Sequence, residues 1–414
     1  MRRQRGLVGL VGLAALFGAG MAGPAAAAVT TEQSASILVF PKVVSDGNRD
    51  TIIQITNTSN SMRHAHCFYV NGALANPDLP PGPKNPPLWT EIDFDIWLTK
   101  QQPTHWVVST GRLDNPLDES CRGRSHCATG VMDPHGTNSA AGGYQYSGIS
   151  GSDDADCCDA GFDPGRVPPV VPGFTGELKC IEVDAGGRPL PGNALKGEAT
   201  LVTVSDGDVS KYNAIGLKGF DTNDGNGVLC LGGDVSPDCP AGSEYEACPA
   251  VWIVDHAAVG APDRVVEQQS FCTSPPCSSV TTNLTVVPCT QNFELQTAPL
   301  VTLQFRIYNE FEQFFSASTT VNCWGSYDLG AEDPRLNGIN PIFNTANLGG
   351  ELVQSFVRSA SGTPGGVMMV VEETHTDLEN GWVARSAQNV HTSRQDQSHQ
   401  DMITIPADQI SLDQ

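Results

Sequence analysis

The chain is 414 residues long and carries 23 Lys and Arg against 46 Asp and Glu, a formal net charge of -23 at pH 7. Clustered cations are what hold phosphate backbones and anionic lipid surfaces, so nucleic acid is excluded as a partner. Turns are dense, with 43 Gly and 29 Pro. After residue 28 no stretch sustains apolar residues at i, i+3, i+4 and i+7, which excludes long helices.

Residues 1–28 have the organisation of a signal peptide. Arg2, Arg3 and Arg5 make a basic start, 6–21 are apolar or Gly, and Ala26 and Ala28 offer the small residues of a cleavage site. The protein is therefore expected to be secreted or periplasmic. No later apolar run approaches the roughly 18 residues that span a bilayer, so no transmembrane segment is expected after cleavage.

From residue 29 onward the chain alternates apolar and polar residues, the period of a half-buried strand. A first β-sandwich domain is expected at 29–215, with strands at 36–43, around Ile53 and Ile55, around Ala65, Cys67 and Tyr69, and at 90–99, 104–109, 177–183 and 199–205. The second and third of these, joined by a polar turn from Asn57, read as a hairpin. A Cys-, Gly- and Asp-rich insertion at about 113–172 interrupts the domain, and a Cys-rich connecting region follows at 216–280, with a strand at 251–255.

The stretch 281–414 reads as a second β-sandwich domain, or as the second sheet of one large sandwich. Its strands are expected at 281–287, 352–357 and 367–374. Val301, Leu303, Phe305 and Ile307 alternate with polar neighbours, as do Phe315, Ala317, Thr319, Val321 and Cys323, giving a hairpin joined by 309–314. Asn57 to Ala65 and Asn309 to Ala317 share one spacing, so the two hairpins read as an internal repeat. The polar stretch 384–400 reads as a mobile tail. The fold class is thus all-β, an antiparallel sandwich of Ig-like or jelly-roll-like kind with disulfide-linked loop insertions.

Thirteen cysteines behind a signal peptide read as a disulfide framework. The candidates are Cys121, Cys127, Cys157, Cys158, Cys230, Cys239, Cys248, Cys272 and Cys277. Cys121 with Cys127 and Cys272 with Cys277 are plausible local pairs, whereas adjacent Cys157 and Cys158 would reach different partners. An odd count leaves one thiol over. Cys67 and Cys323 occupy inward strand positions, and each reads as a buried thiol or as half of an inter-sheet bridge.

Neither C-x-x-C-H nor paired C-x-x-C occurs, so no haem or structural zinc is expected. Calcium is the one cofactor left open. Oxygen ligands are dense in Asp153, Asp154 and Asp156 and again in Asp221, Asn223 and Asp224, but without the register of a calcium loop. His64 and His66 share a strand face opposite to Cys67, and they read as a solvated pair rather than as a metal site.

One segment invites an enzymatic reading. Glu91-Ile92-Asp93-Phe94-Asp95 resembles the E-x-D-x-E core of the laminarinase and lichenase-like glycosidases, a β-jelly-roll family. The resemblance implies Glu91 as nucleophile and Asp95 as acid/base. Asp95 stands where the family has Glu, and α-carbons four apart on a strand lie about 13 Å from each other, against carboxyls about 5 to 5.5 Å apart in a retaining pair. No G-x-S-x-G, H-E-x-x-H, P-loop or dinucleotide-binding motif is present.

A wider resemblance covers most of the chain after the signal peptide. The runs Ile37-Leu38-Val39-Phe40-Pro41, 50–59 (DTIIQITNTS), 98–106 (LTKQQPTHW) and 361–368 (SGTPGGVM) resemble those of exported bacterial β-sandwich-like proteins with no assigned function. It implies an exported bacterial protein and no particular activity. The expected role is structural or ligand-binding, at the cell surface or outside the cell, with a cell-surface or extracellular protein or a polysaccharide as partner, and an enzymatic activity is left open. The first alternative is carbohydrate binding or hydrolysis, with Trp89, Trp97 and Trp106 as sugar platforms and Glu91, Asp93 and Asp95 for the chemistry. The second is calcium-dependent assembly through the acidic loops.

Overall fold

The computed structural model describes residues 29–76, 79, 85, 87–112, 131–132, 144–145, 167–184, 186–269, 276–329, 340–360, 365–392 and 400–406. Cys121, Cys127, Cys157, Cys158, Cys272, Asp153, Asp154 and Asp156 lie outside them, as does the signal peptide.

The first strands are β1 (Ile37–Ser45), β2 (Arg49–Asn57), β3 (Arg63–Asn71), β4 (Thr90–Leu98), β5 (Pro103–Val107), β6 (Val131–Met132), β7 (Tyr144–Gln145) and β8 (Phe174–Val183). There follow β9 (Leu195–Thr203), β10 (Val209–Asn213), β11 (Ile215–Leu217), β12 (Val228–Leu231), β13 (Val251–Ala257), β14 (Ser278–Pro288), β15 (Gln291–Asn292) and β16 (Leu300–Asn309). The last are β17 (Phe314–Asn322), β18 (Gly325–Leu329), β19 (Leu352–Ser359), β20 (Val367–Asp377), β21 (Val383–Asn389), β22 (His391–Thr392) and β23 (Asp401–Thr404). Among the described residues helix is confined to α1 (Arg264–Gln269), α2 (Thr345–Leu348) and one 3-10 turn (Asn340–Phe343). None of these is long and apolar enough to cross a membrane.

The protein is all-β, and its strand pairs are antiparallel except where β15 lies parallel to β23. The first sheet runs β11-β1-β8-β3-β4 and the second β10-β9-β2-β5. The third runs β12-β23-β15, the fourth β17-β16-β19-β13-β22 and the fifth β18-β14-β20-β21, while β6 and β7 form a small ribbon. Among the described residues, five sheets of three or more strands give a count like that of a five-bladed β-propeller rather than of one two-sheet sandwich. The chain does not finish one sheet before starting the next, however: β1 and β2, β2 and β3, and β8 and β9 lie in different sheets.

Alternation explains the packing. Leu38, Phe40, Tyr69, Phe94 and Leu178 of the first sheet meet Ile53, Ile55, Trp106 and Leu201 of the second in one core, where Trp106 Nε1 donates to Tyr69 Oη at 2.6 Å. Leu303, Phe305 and Val357 of the fourth sheet meet Leu284, Val286 and Val371 of the fifth in the other. That second core also reaches the back of the first sheet, covering Val39, Phe68, Val70 and Ile181. The first sheet is thus buried on both faces, which is why all nine residues of β1 are buried while β2 alternates between buried and partly exposed.

Several expectations are corrected. Strands β2 and β3 do not form a hairpin: β2 pairs with β5 and β9, and β3 with β4 and β8. The internal repeat with the true hairpin β16–β17 therefore falls. The stretch 384–400 holds most of β21 and all of β22, both paired, instead of being a free tail up to residue 392. The Cys67 bridge runs to Cys180, directly opposite on β8, so it lies within a sheet and not between sheets. Cys230 joins Cys239, and Cys248 joins Cys289, a residue that spacing did not single out. Cys277 is disulfide-bonded as well. Among the described residues Cys323 is the free cysteine, and it is buried.

A bulge at Pro41 and Lys42 shifts the β1–β8 register between Phe40 and Val43, and it turns Lys42 toward the second half of the chain. Lys42 Nζ donates to Glu372 Oε2 and Asn283 Oδ1, both at 2.7 Å, and Arg49 reaches the same carboxylate at 2.5 Å. Trp324 Nε1 closes the bulge by donating to Pro41 O at 2.8 Å. Gly72 allows this approach, because a Cβ there would lie 2.5 Å from that of Trp324.

Candidate functional site

The acidic row predicted on β4 lies on the face of the first sheet that turns away from the second. Ile92, Phe94, Ile96 and Leu98 point into the core between those sheets, which leaves Glu91, Asp93, Asp95 and Trp97 on the other side. Antiparallel pairing with β3 sets His66 opposite Asp95, His64 opposite Trp97 and Phe68 opposite Asp93. The two histidines and the acidic row, read separately in sequence, therefore form one cluster.

At its centre, Asp95 Oδ1 lies 2.6 Å from His64 Nε2 and 2.9 Å from His66 Nδ1. His64 Nδ1 donates to the backbone oxygen of Asp184 at 2.9 Å, and its ring stacks on Trp97 with centroids 3.8 Å apart. His66 Nε2 lies 3.5 Å from Asp93 Oδ2, an ion-pair distance. The histidines are not a solvated pair: His64 is 3% and His66 4% exposed, and Asp95 is 3% exposed. Neighbouring charge decides the ionisation of His66 and Asp95. Burial opposes the charged His66 ring, but Asp95 and Asp93 prevail and raise it to about 10. Burial likewise opposes the Asp95 carboxylate, but His66 and His64 hold it well below the usual carboxylate range.

Glu91 differs. It stands opposite Val70, two pairs beyond the histidines on the same face, and burial followed by the charge of Asp93 pushes it up to about 8. Its Oε2 and the Nε1 of Trp97 are buried without a hydrogen-bond partner.

None of the three tryptophans offers a face to solvent. Trp106 packs edge-on against Phe94 in the core, Trp97 is covered by His64, and Trp89 lies tilted against Phe293. In the described acidic loop, Asp224 accepts from Asn226 N and Nδ2, and Asn223 binds Tyr245 Oη and Gly225 N. These side chains are engaged within their own turn and, through Asn223, with Tyr245. Among the described residues Cys248, Cys289 and Asp401 bring potential ligand atoms together, but the two sulfurs are bonded to each other and offer no thiolate.

No protein-family model matches the chain, and no curated protein matches it. Among solved structures, a chain of the "Cowpea mosaic virus top component (CPMV-T) - naturally occurring empty particles" aligns at 8% identity and a TM-score of 0.16, covering 94% of this chain and 99% of that one. A likeness at that level carries no argument about fold or function.

Proposed function

We propose that the protein is an exported, disulfide-stabilised structural component working at the cell surface or outside the cell, built from two face-to-face sheet pairs of Ig-like or jelly-roll-like kind. The observation that carries this reading is the fate of Asp95. The carboxylate that an E-x-D-x-D active site would need as acid/base is instead the shared acceptor of two buried imidazoles. Held strongly acidic, it lacks the proton a leaving group requires near neutral pH. Disulfides in the described body fit an oxidising compartment.

Glu91 favours a second reading, in which the β3–β4 face binds or hydrolyses a polysaccharide. A carboxyl raised to about 8 is protonated at neutral pH and is suited to donate a proton. Incubation with mixed-linkage and β-1,3-glucans, followed by reducing-end release, separates the two. The structural reading expects no turnover by the native protein. Turnover that Glu91→Gln abolishes, with an unchanged melting temperature, would establish the glycosidase instead.

A further inference from the structure

Behind the first sheet lies a second polar cluster that the proposed role does not use. Glu177 and Lys179 sit two apart on β8, on the face away from Leu178 and Cys180, and Gln291 of β15 comes in from the far half of the chain. Lys179 Nζ donates to Glu177 Oε2 at 2.5 Å and also to Gln291 Oε1. Gln291 Nε2 donates to Glu177 Oε1. The amine thus rests against the side-chain carbonyl, and one carboxylate touches both the amine and the amide nitrogen. Glu177 and Lys179 are fully buried and Gln291 is 1% exposed.

We propose that Lys179 and Gln291 are joined by an intramolecular isopeptide bond that the folded chain makes on itself, with Glu177 carrying the protons. The Nζ lone pair attacks Cδ of Gln291 and forms the Nζ–Cδ bond. Nζ gives up one proton to Glu177, Glu177 supplies one to Nε2, the Cδ–Nε2 bond breaks, and ammonia leaves. Lysine amine and glutamine amide become one secondary amide and one ammonia. Nothing is oxidised or reduced, and no co-reactant is needed.

Three features favour the step. Burial lowers the Lys179 amine and raises the Glu177 carboxyl, each against the pull of the other, so the interior favours an uncharged nucleophile beside a proton donor. The three groups are held in contact by strands, which replaces an encounter in solution by a fixed arrangement, and water is shut out. A buried ion pair is also a poor stabiliser, because desolvation offsets its attraction; a neutral amide removes that cost. Cys323, free and buried, is near enough for its thiol to respond to both charges, after burial itself has raised it. No hydrogen bond joins it to Gln291 among the described residues, so the amine is the group in place.

The test is peptide mapping of the full-length protein after denaturation, reduction and alkylation, with a protease that does not cut at lysine. The expected product is one branched species holding Lys179 and Gln291, lighter than the two linear peptides together by one ammonia. In Lys179→Arg and in Glu177→Gln the same digest should give only linear peptides, and Cys323 should be alkylated throughout. Linear peptides with intact Lys179 and Gln291 from native protein that retains its near-UV circular dichroism would overturn the proposal. So would an ammonia loss that maps to Cys323.

Discussion

Asp95 is where two imidazoles meet on one oxygen, and changing it to Asn keeps an acceptor there but removes the negative charge. Asp95→Asn should lower the unfolding free energy at pH 7 by about 3 kcal/mol, the scale for breaking a buried charged pair, as read from urea denaturation. The pH dependence has a definite sign. His66 is raised from 6.5 to about 10, so its contribution is whole below pH 6.5 and is lost as pH rises through about 10. Asp95 is lowered from 3.8, so its contribution is whole above pH 3.8 and fades as pH falls below it. The gap between native protein and variant should be flat from 3.8 to 6.5 and close toward 10; a gap that widens toward 10 would refute the assignment. Alternation alone puts Glu91, Asp93 and Asp95 on one face of β4 and His64 with His66 on one face of β3. What it cannot supply is the register that faces His66 with Asp95, since nothing periodic in the segment between β3 and β4 measures that offset.

At the scale of elements, the Pro41–Lys42 bulge converts a core strand into an anchor for the other half of the molecule. Burial disfavours the Glu372 carboxylate, but Lys42 and Arg49 prevail and bring it from 4.5 down to about 2. Its contribution is therefore present above pH 4.5 and is lost as pH falls through about 2. Glu372→Gln should cost about 3 to 5 kcal/mol at neutral pH and flatten the acid limb of the stability profile below pH 4.5, measured by thermal melts. An unchanged acid limb would show that other carboxylates govern it. The strongly alternating strands were legible, β16 and β17 to their pairing. The β2–β3 turn was misread because loop length does not tell a hairpin from an arch that crosses between facing sheets. Strands β21 to β23 are short and polar, and they are held by neighbours more than by a pattern of their own.

At the scale of the whole molecule, covalent links differ in what they confine. Cys67 and Cys180 are separated by 113 positions, Cys230 and Cys239 by 9. If chain entropy governs, removing the first pair by double Ala substitution should cost roughly 5 kcal/mol and removing the second roughly 2 to 3. Melting temperatures of the two double variants, read side by side, check that order, and the reverse order would mean that packing around the sulfurs dominates. Neither Cys180 nor Cys289 stood out in sequence, because bridge partners are chosen by strand register and not by spacing.

Strand β23 has a consequence for timing. Its four residues lie between β12 and β15, and the Asp401 carboxylate accepts from Gly365 N, Gly366 N and Thr290 Oγ1. In chain order this strand follows every other element of the described residues. Until it arrives, β15 lacks the neighbour that holds it in the third sheet, and Gln291 has no settled place above Lys179. Closing the third sheet and covering the lysine and glutamate of β8 are therefore one event, which awaits a strand that comes after all the sheets it completes.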